Sequence, residues 1–117
     1  MHQFKELKIW QRALELTVDV YKVTSKLPKE EVYGLTSQMR KCAVSIPSNI
    51  AEGAGRNTKG EFNQFLGISN GSSYELTTQL LVASRLNFLT EQECEPILNE
   101  LKAIQKMTYN LQSTLKA

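Results

Sequence analysis

Chemistry needs acids, bases, nucleophiles or metal ligands at workable spacings, and few residue sets in this chain qualify. The basic set Arg40, Lys41, Arg56 and Lys59 clusters around one segment and the turn that follows it. Lysine and arginine neutralise phosphates, and arginine adds bidentate contacts, so this set is a candidate nucleic-acid surface. The competing reading is a solvated helix face, or an ion pair between Arg40 and a carboxylate such as Glu75. A polar run, Ser45, Ser48, Asn49 and Glu52, lies between the two halves of the basic set. On a helix Asn49 and Glu52 face roughly the same way. They have no catalytic partner, because the single histidine is His2, at the N-terminus. The structural reading is preferable: the run satisfies backbone groups near Pro47 and makes polar contacts between helices.

Other chemistries fail on spacing. Glu52, Glu61 and Glu75 suggest a carboxylate metal bundle, but the Glu-x-x-His element that such bundles use is absent. Ser72 follows Gly71 without a Gly-x-Ser-x-Gly elbow or a histidine base. Gly53 to Arg56 lacks the Gly-Lys-Ser/Thr ending of a phosphate-binding loop. Cys42 and Cys94 stand alone, outside any zinc spacing, and Cys42 falls on an apolar stripe as a small hydrophobe. The sequence therefore predicts no catalytic residues, no metal and no cofactor.

Composition narrows the class. In 117 residues, 41% hydrophobic, 14 basic and 12 acidic side chains leave a net charge of +2. This predicts a single domain over residues 1–117 with a real core, and excludes both a disordered chain and a polybasic tail. No apolar run approaches the roughly 18 residues of a membrane span. The start, Met1-His2-Gln3-Phe4-Lys5-Glu6, lacks the apolar stretch of a signal peptide, so the expected location is the cytoplasm, where both thiols stay reduced.

The elements that must position these residues are all helices. From Leu7 to about Lys26 the charges Lys8, Arg12, Glu15, Asp19, Lys22 and Lys26 form one narrow stripe. The rest is apolar or small on two sides: Ile9, Ala13, Leu16, Val20 and Val23 on one, Leu7, Trp10, Leu14, Thr17 and Tyr21 on the other. This is about twice the roughly 100° apolar arc of an ordinary surface helix. The excess predicts a subunit interface involving Ile9, Trp10, Ala13, Leu16, Val20 and Tyr21, with Trp10 and Tyr21 as interface or core anchors.

Pro28 stops this first helix. A second runs from Leu35 or Thr36 to about Gly53, with Leu35, Met39, Cys42, Ala43, Ile46 and Ile50 on one face. That stripe keeps its phase through Pro47, which reads as a kink; the alternative is two short helices split there. Ser45, Ser48 and Asn49 are candidates to satisfy the backbone groups freed at the proline. Thr58-Lys59-Gly60-Glu61 is a capping box opening a third helix, with Phe62, Phe65, Leu66, Ser69, Ser73, Leu76, Leu80 and Ala83 as its core stripe. Gly67 and Gly71, opposite that stripe, imply a close backbone contact or a local irregularity near Gly71-Ser72-Ser73. Thr90-Glu91-Gln92-Glu93 is a second capping box. It opens a fourth helix that kinks or restarts at Pro96. The predicted fold is all-α, an antiparallel up-down-up-down four-helix bundle that assembles as an oligomer.

The central run Ser45-Ile46-Pro47-Ser48-Asn49-Ile50-Ala51-Glu52-Gly53, followed by Gly55-Arg56, is distinctive. Phe4, Leu7, Trp10 and Gln11 precede it, as do Tyr33-Gly34-Leu35-Thr36 and Gln38. Glu61-Phe62, Phe65-Leu66, Gly71-Ser72 and Glu75-Leu76 follow. Together they resemble the four-helix-bundle family named for proteins encoded in intervening sequences of bacterial 23S ribosomal RNA genes. The resemblance implies a cytoplasmic bundle assembled as a ring-like homopentamer, without established catalytic activity. The chain is also similar to the accessory protein of diversity-generating retroelements, a pentameric bundle that binds a reverse transcriptase and nucleic acid. Cys94-Glu95-Pro96 departs from the family's pattern and bears on the start of helix 4. The function expected on this basis is a non-enzymatic accessory protein. It binds structured RNA through a basic surface formed on assembly, or serves as a scaffold that docks a partner such as a reverse transcriptase.

Overall fold

A computed structural model describes residues 3–116, so His2 lies outside the described residues. The described residues form four α-helices and two short 3-10 turns, at Phe4–Glu6 and Lys29–Glu31, with no strand. The helices are α1 (Lys8–Thr24), α2 (Leu35–Ala54), α3 (Lys59–Arg85) and α4 (Glu91–Lys116). They pack α1 on α2, α2 on α3, α3 on α4 and α4 back on α1, in a body of 44 × 23 × 20 Å.

Local chemistry sets the ends of the helices. Thr90 and Glu93 make a full capping box: the Glu93 amide donates to Thr90 Oγ1 at 3.1 Å, and the Thr90 amide donates to Glu93 Oε1 at 2.9 Å. The box at Thr58 is half complete. Its hydroxyl accepts from the Glu61 amide at 3.1 Å, but the Glu61 carboxylate takes the hydroxyl proton instead of the Thr58 amide. α3 ends on Asn87 in the left-handed region (φ 62°). The Phe88 amide bonds back to the Ala83 carbonyl at 2.9 Å and the Asn87 amide to Ser84 at 3.0 Å, which is a Schellman closure. α4 runs unbroken through Pro96, which falls within its first two turns.

α2 passes through Pro47 as one continuous helix, with the proline ring buried. The ring removes the amide that would reach the Ala43 carbonyl. Thr17 on α1 supplies a donor in its place: its one hydroxyl proton is shared between the Ala43 oxygen at 3.0 Å and its own helix's Ala13 oxygen at 2.8 Å. From the other side, Ser69 on α3 donates to the Ile46 carbonyl at 3.0 Å. Ser45 and Asn49, expected in this role, do something else. The Asn49 side chain donates from Nδ2 to Ser45 O at 2.8 Å and to Ser45 Oγ at 2.9 Å, and Ser45 Oγ lies 2.8 Å from Ser72 Oγ on α3. Ser48 is exposed. Pro47 thus takes its compensating bond from a neighbouring helix, because Thr17 faces the freed carbonyl directly.

Gly53 lets α2 and α3 close together, since a Cβ there would sit 2.7 Å from Phe65 Cβ and 3.0 Å from Phe62 Cδ1. Gly71 has no such neighbour: nothing lies within 4 Å of a Cβ built on it, and Gly67 meets only the Gln112 amide at 3.6 Å. α3 is regular through both positions. The close contact or irregularity expected at these glycines is absent from the protomer, because both lie on the exposed side of α3.

The subunit-interface expectation for α1 also needs correction. Ile9, Ala13, Leu16 and Val20 are buried in the protomer's own core with Met39, Ile46, Ile50, Leu76, Leu80 and Leu101, and leave no surface for a second chain. Trp10 is half-buried, edge-on to Phe4 with ring centroids 5.2 Å apart. The apolar side chains of α1 that do face solvent are Leu14, Val18 and Tyr21. The reason is geometric: the two apolar sides are not equivalent, and only the side toward α2 outruns what the bundle covers.

Candidate nucleic-acid interface

The four basic residues fall into two pairs at opposite ends of α2. Fourteen residues of helix separate Arg40 from Ala54 at the end of α2, which at 1.5 Å per residue is about 21 Å, and Arg56 lies beyond that end. Neighbours in sequence are therefore no single patch on one protomer.

Both arginines are already engaged. Arg40 donates from Nε to Thr24 Oγ1 at 2.9 Å and from Nη2 to the Tyr21 carbonyl at 3.1 Å, and its guanidinium lies 4.7 Å from the Tyr21 ring centroid. It ties the start of α2 to the last turn of α1, where a cation also suits the negative end of the helix dipole. Its partners are therefore on α1, and the alternative ion pair with Glu75 is not formed. Arg56 pairs with Glu52 one turn back at 2.7 Å and lies 4.7 Å from the Phe65 ring centroid. Glu52, expected on the polar face of the central run, thus neutralises Arg56. Lys41 and Lys59 are exposed and enter no ion pair among the described residues.

The polar run forms a ladder across α2 and α3 through Ser45, Asn49 and Ser72. Just beyond it on α3 follow Glu75 and Gln79, which is buried with no partner for its side-chain oxygen, near Cys42 on α2. Burial first, and then the charge of Glu75, push the Cys42 thiol above its usual range, and burial does the same for Cys94 beside Glu93. Protonated, enclosed thiols are poor nucleophiles. Among the described residues no group of three His, Cys, Asp or Glu side chains converges as metal ligands. No helix among them is long and apolar enough to cross a membrane.

Sequence reasoning placed Thr17 and Ser69 on apolar stripes without their bonds to α2, and missed Gln79. Thr17 had a signal, since it lies on α1 in phase with Trp10 and Tyr21, on the side that meets α2. Gln79 lies a turn after Glu75 and two turns after Ser72, and the polar spacing along α3 marks it.

The surface also carries two apolar features. On α1, Leu14, Val18 and Tyr21 recur at four and three residues and are 42%, 43% and 43% exposed. Between α3 and α4 lies an open groove of about 700 Å³ in which Tyr74, Leu81 and Leu98 stand among polar and charged side chains, Arg85, Glu91, Glu95 and Lys102 included.

No curated protein matches the chain in sequence. Among solved structures it is similar to a protein of unknown function from the S23 ribosomal protein family of Bacteroides thetaiotaomicron VPI-5482. The TM-score is 0.81 at 23% identity, over 93% of this chain and 99% of that one, which is a likeness of fold. The family model described as 23S rRNA-intervening sequence protein matches residues 5–110, and with the helical bundle and the Ser45–Gly53 run in place, the chain belongs to that family.

Proposed function

We propose that the chain is a non-enzymatic, cytoplasmic accessory protein that works as an assembly of bundles and contacts structured RNA through basic residues repeated around that assembly. The observation that carries this reading is the stripe Leu14, Val18 and Tyr21, apolar surface on a helix whose other apolar side already fills the core. Exposed apolar stripes of this kind mark contact surfaces. The helices are read as up-down-up-down, supported by two contacts between α1 and α4: Arg12 grips Glu100 with two bonds of 2.7 Å, while Lys26 pairs with Glu93. The partner number falls along α4 as it rises along α1, as antiparallel neighbours require.

Lys41 and Lys59 are the free charges of the basic set, and assembly multiplies them. In a ring-like pentamer, the state the family resemblance implies, each would recur on every subunit. Arg40 and Arg56 add positive potential from fixed positions. Light scattering across micromolar concentrations tests the assembly, and a larger-than-single-chain mass at every concentration is expected. Binding of a structured RNA at two salt concentrations tests the rest: phosphate contacts weaken steeply as salt rises, and an affinity independent of salt overturns them.

A second reading, a scaffold that docks a protein such as a reverse transcriptase, draws support from Ile68 and Val82 on α3. They are 48% and 43% exposed, apart from the α1 stripe. Co-purification of a protein partner without any RNA affinity would favour it.

A further inference from the structure

We infer that the α1 stripe of one copy seats in the α3–α4 groove of a second copy, a head-to-tail contact between two different surfaces. The inference rests on the self-assembly reading and names the two faces that carry it.

The surfaces match in length. Leu14 to Tyr21 and Tyr74 to Leu81 each span seven residues of helix, about 10 Å. Both present open apolar side chains, those of the groove set among polar ones: Tyr74 is 57% exposed and Leu81 49%. They also match in height along the bundle. Lys26 and Arg12 pair with Glu93 and Glu100, so this stretch of α4 is level with α1 between residues 26 and 12. Cys94 Sγ bonds to the Leu80 carbonyl, and Gln105 to Thr77, which extends the same scale to α3. Leu81 therefore stands near the height of Lys22, and Tyr74 near that of Leu14. Two copies related by rotation about an axis parallel to the helices keep their heights, and the stripe meets the groove without sliding.

The flanking charges choose the orientation. Glu15 follows Leu14 and Lys22 follows Tyr21. On the groove, Glu91 and Glu95 line the end at the height of Lys22, where with Arg85 they leave a net negative charge, and Lys102 lines the end at the height of Glu15. A parallel neighbour therefore sets opposite charges together at both ends. A neighbour turned end for end would set Lys22 against Lys102 and Glu15 against Glu91 and Glu95, which is unfavourable. None of these charges enters an ion pair among the described residues, so all are available to a second copy. Because the two faces differ, the contact is not two-fold; each copy offers one of each and can continue to the next.

The test uses two surface variants, Val18→Arg on the stripe and Leu81→Arg in the groove, with circular dichroism to verify that each keeps its helices. Each alone should fall to the 13.2 kDa mass of a single chain. Mixed in equal amounts they should form a particle of two chains and no larger, because each retains one intact face that fits the other's. If the unaltered chain is itself a single chain at all concentrations, the self-assembly reading fails and this pairing with it. If the unaltered chain assembles but either folded variant does so equally well, or the mixture stays at single-chain mass, this pairing is overturned and self-assembly stands.

Discussion

The Thr17 hydroxyl stands 3.0 Å from the Ala43 carbonyl oxygen, the acceptor that Pro47 deprives of its helical amide. A side chain on one helix thus completes the backbone of another. Thr17→Val keeps the shape and removes the donor, leaving a buried carbonyl without a partner, and should cost about 1–3 kcal/mol in urea denaturation. Combined with Thr17→Val, Pro47→Ala restores a main-chain amide to the same acceptor, so the two changes should be strongly non-additive. Simple additivity would remove the assigned role.

Gly53→Ala should destabilise by about 1–3 kcal/mol, since the added carbon would stand 2.7 Å from Phe65 Cβ and force α2 and α3 apart. Gly71→Ala should act in the opposite direction within the protomer, gaining about 1 kcal/mol from helix propensity with open space around the new methyl. Thermal melts of the two variants, side by side, check both signs.

Asn87 holds the left-handed turn that closes α3. Asn87→Gly should retain or raise the melting temperature, while Asn87→Val should lower stability by about 1–2 kcal/mol. Equal melting temperatures for the two would contradict the assignment.

Glu93 receives Lys26 and the Thr90 amide, and these bonds hold its carboxyl below its ordinary value of 4.5. A carboxyl depressed in the folded state contributes stability above its unfolded pKa and loses it as pH falls through the folded one. Glu93→Gln preserves the cap but removes the titration, so the acid side of its stability profile below about pH 5 should be shallower than that of the parent. Melting temperatures recorded from pH 7 down to pH 3 decide this.

Lys41→Glu with Lys59→Glu should weaken binding to structured RNA and flatten its salt dependence without changing helix content. Arg40→Lys should instead act on stability, since lysine loses the forked contact with Thr24 and Tyr21 and the flat stacking on the ring. Filter binding and melts together separate the two effects.

Most of the fold was legible because helix signals are local. The stripe through Leu35, Met39, Ala43, Ile46 and Ile50 passed over Pro47 in phase, and α2 is one helix. Both threonine caps were readable from four residues each. What was hidden depends on how helices meet. Periodicity shows that α1 has two apolar sides but not which of them the bundle already covers. Ile9 and Val20 went to the core, and Leu14 and Val18 to the surface. The basic set looked like one patch because it surrounds one helix, whose length in space separates its ends. Gly53 and Gly71 both sit in helical stretches, and the positions of Phe62 and Phe65 make them different.

The borrowed bond at Pro47 makes the folding of α2 conditional. A chain segment that carries a proline in its middle and relies on another helix for the displaced contact is poorly helical by itself. Its two halves join into one rod only once α1 has arrived, so docking and helix completion are a single cooperative step. The amides that follow the proline accordingly exchange with solvent when α1 departs, and their protection reports on that departure from within a different helix.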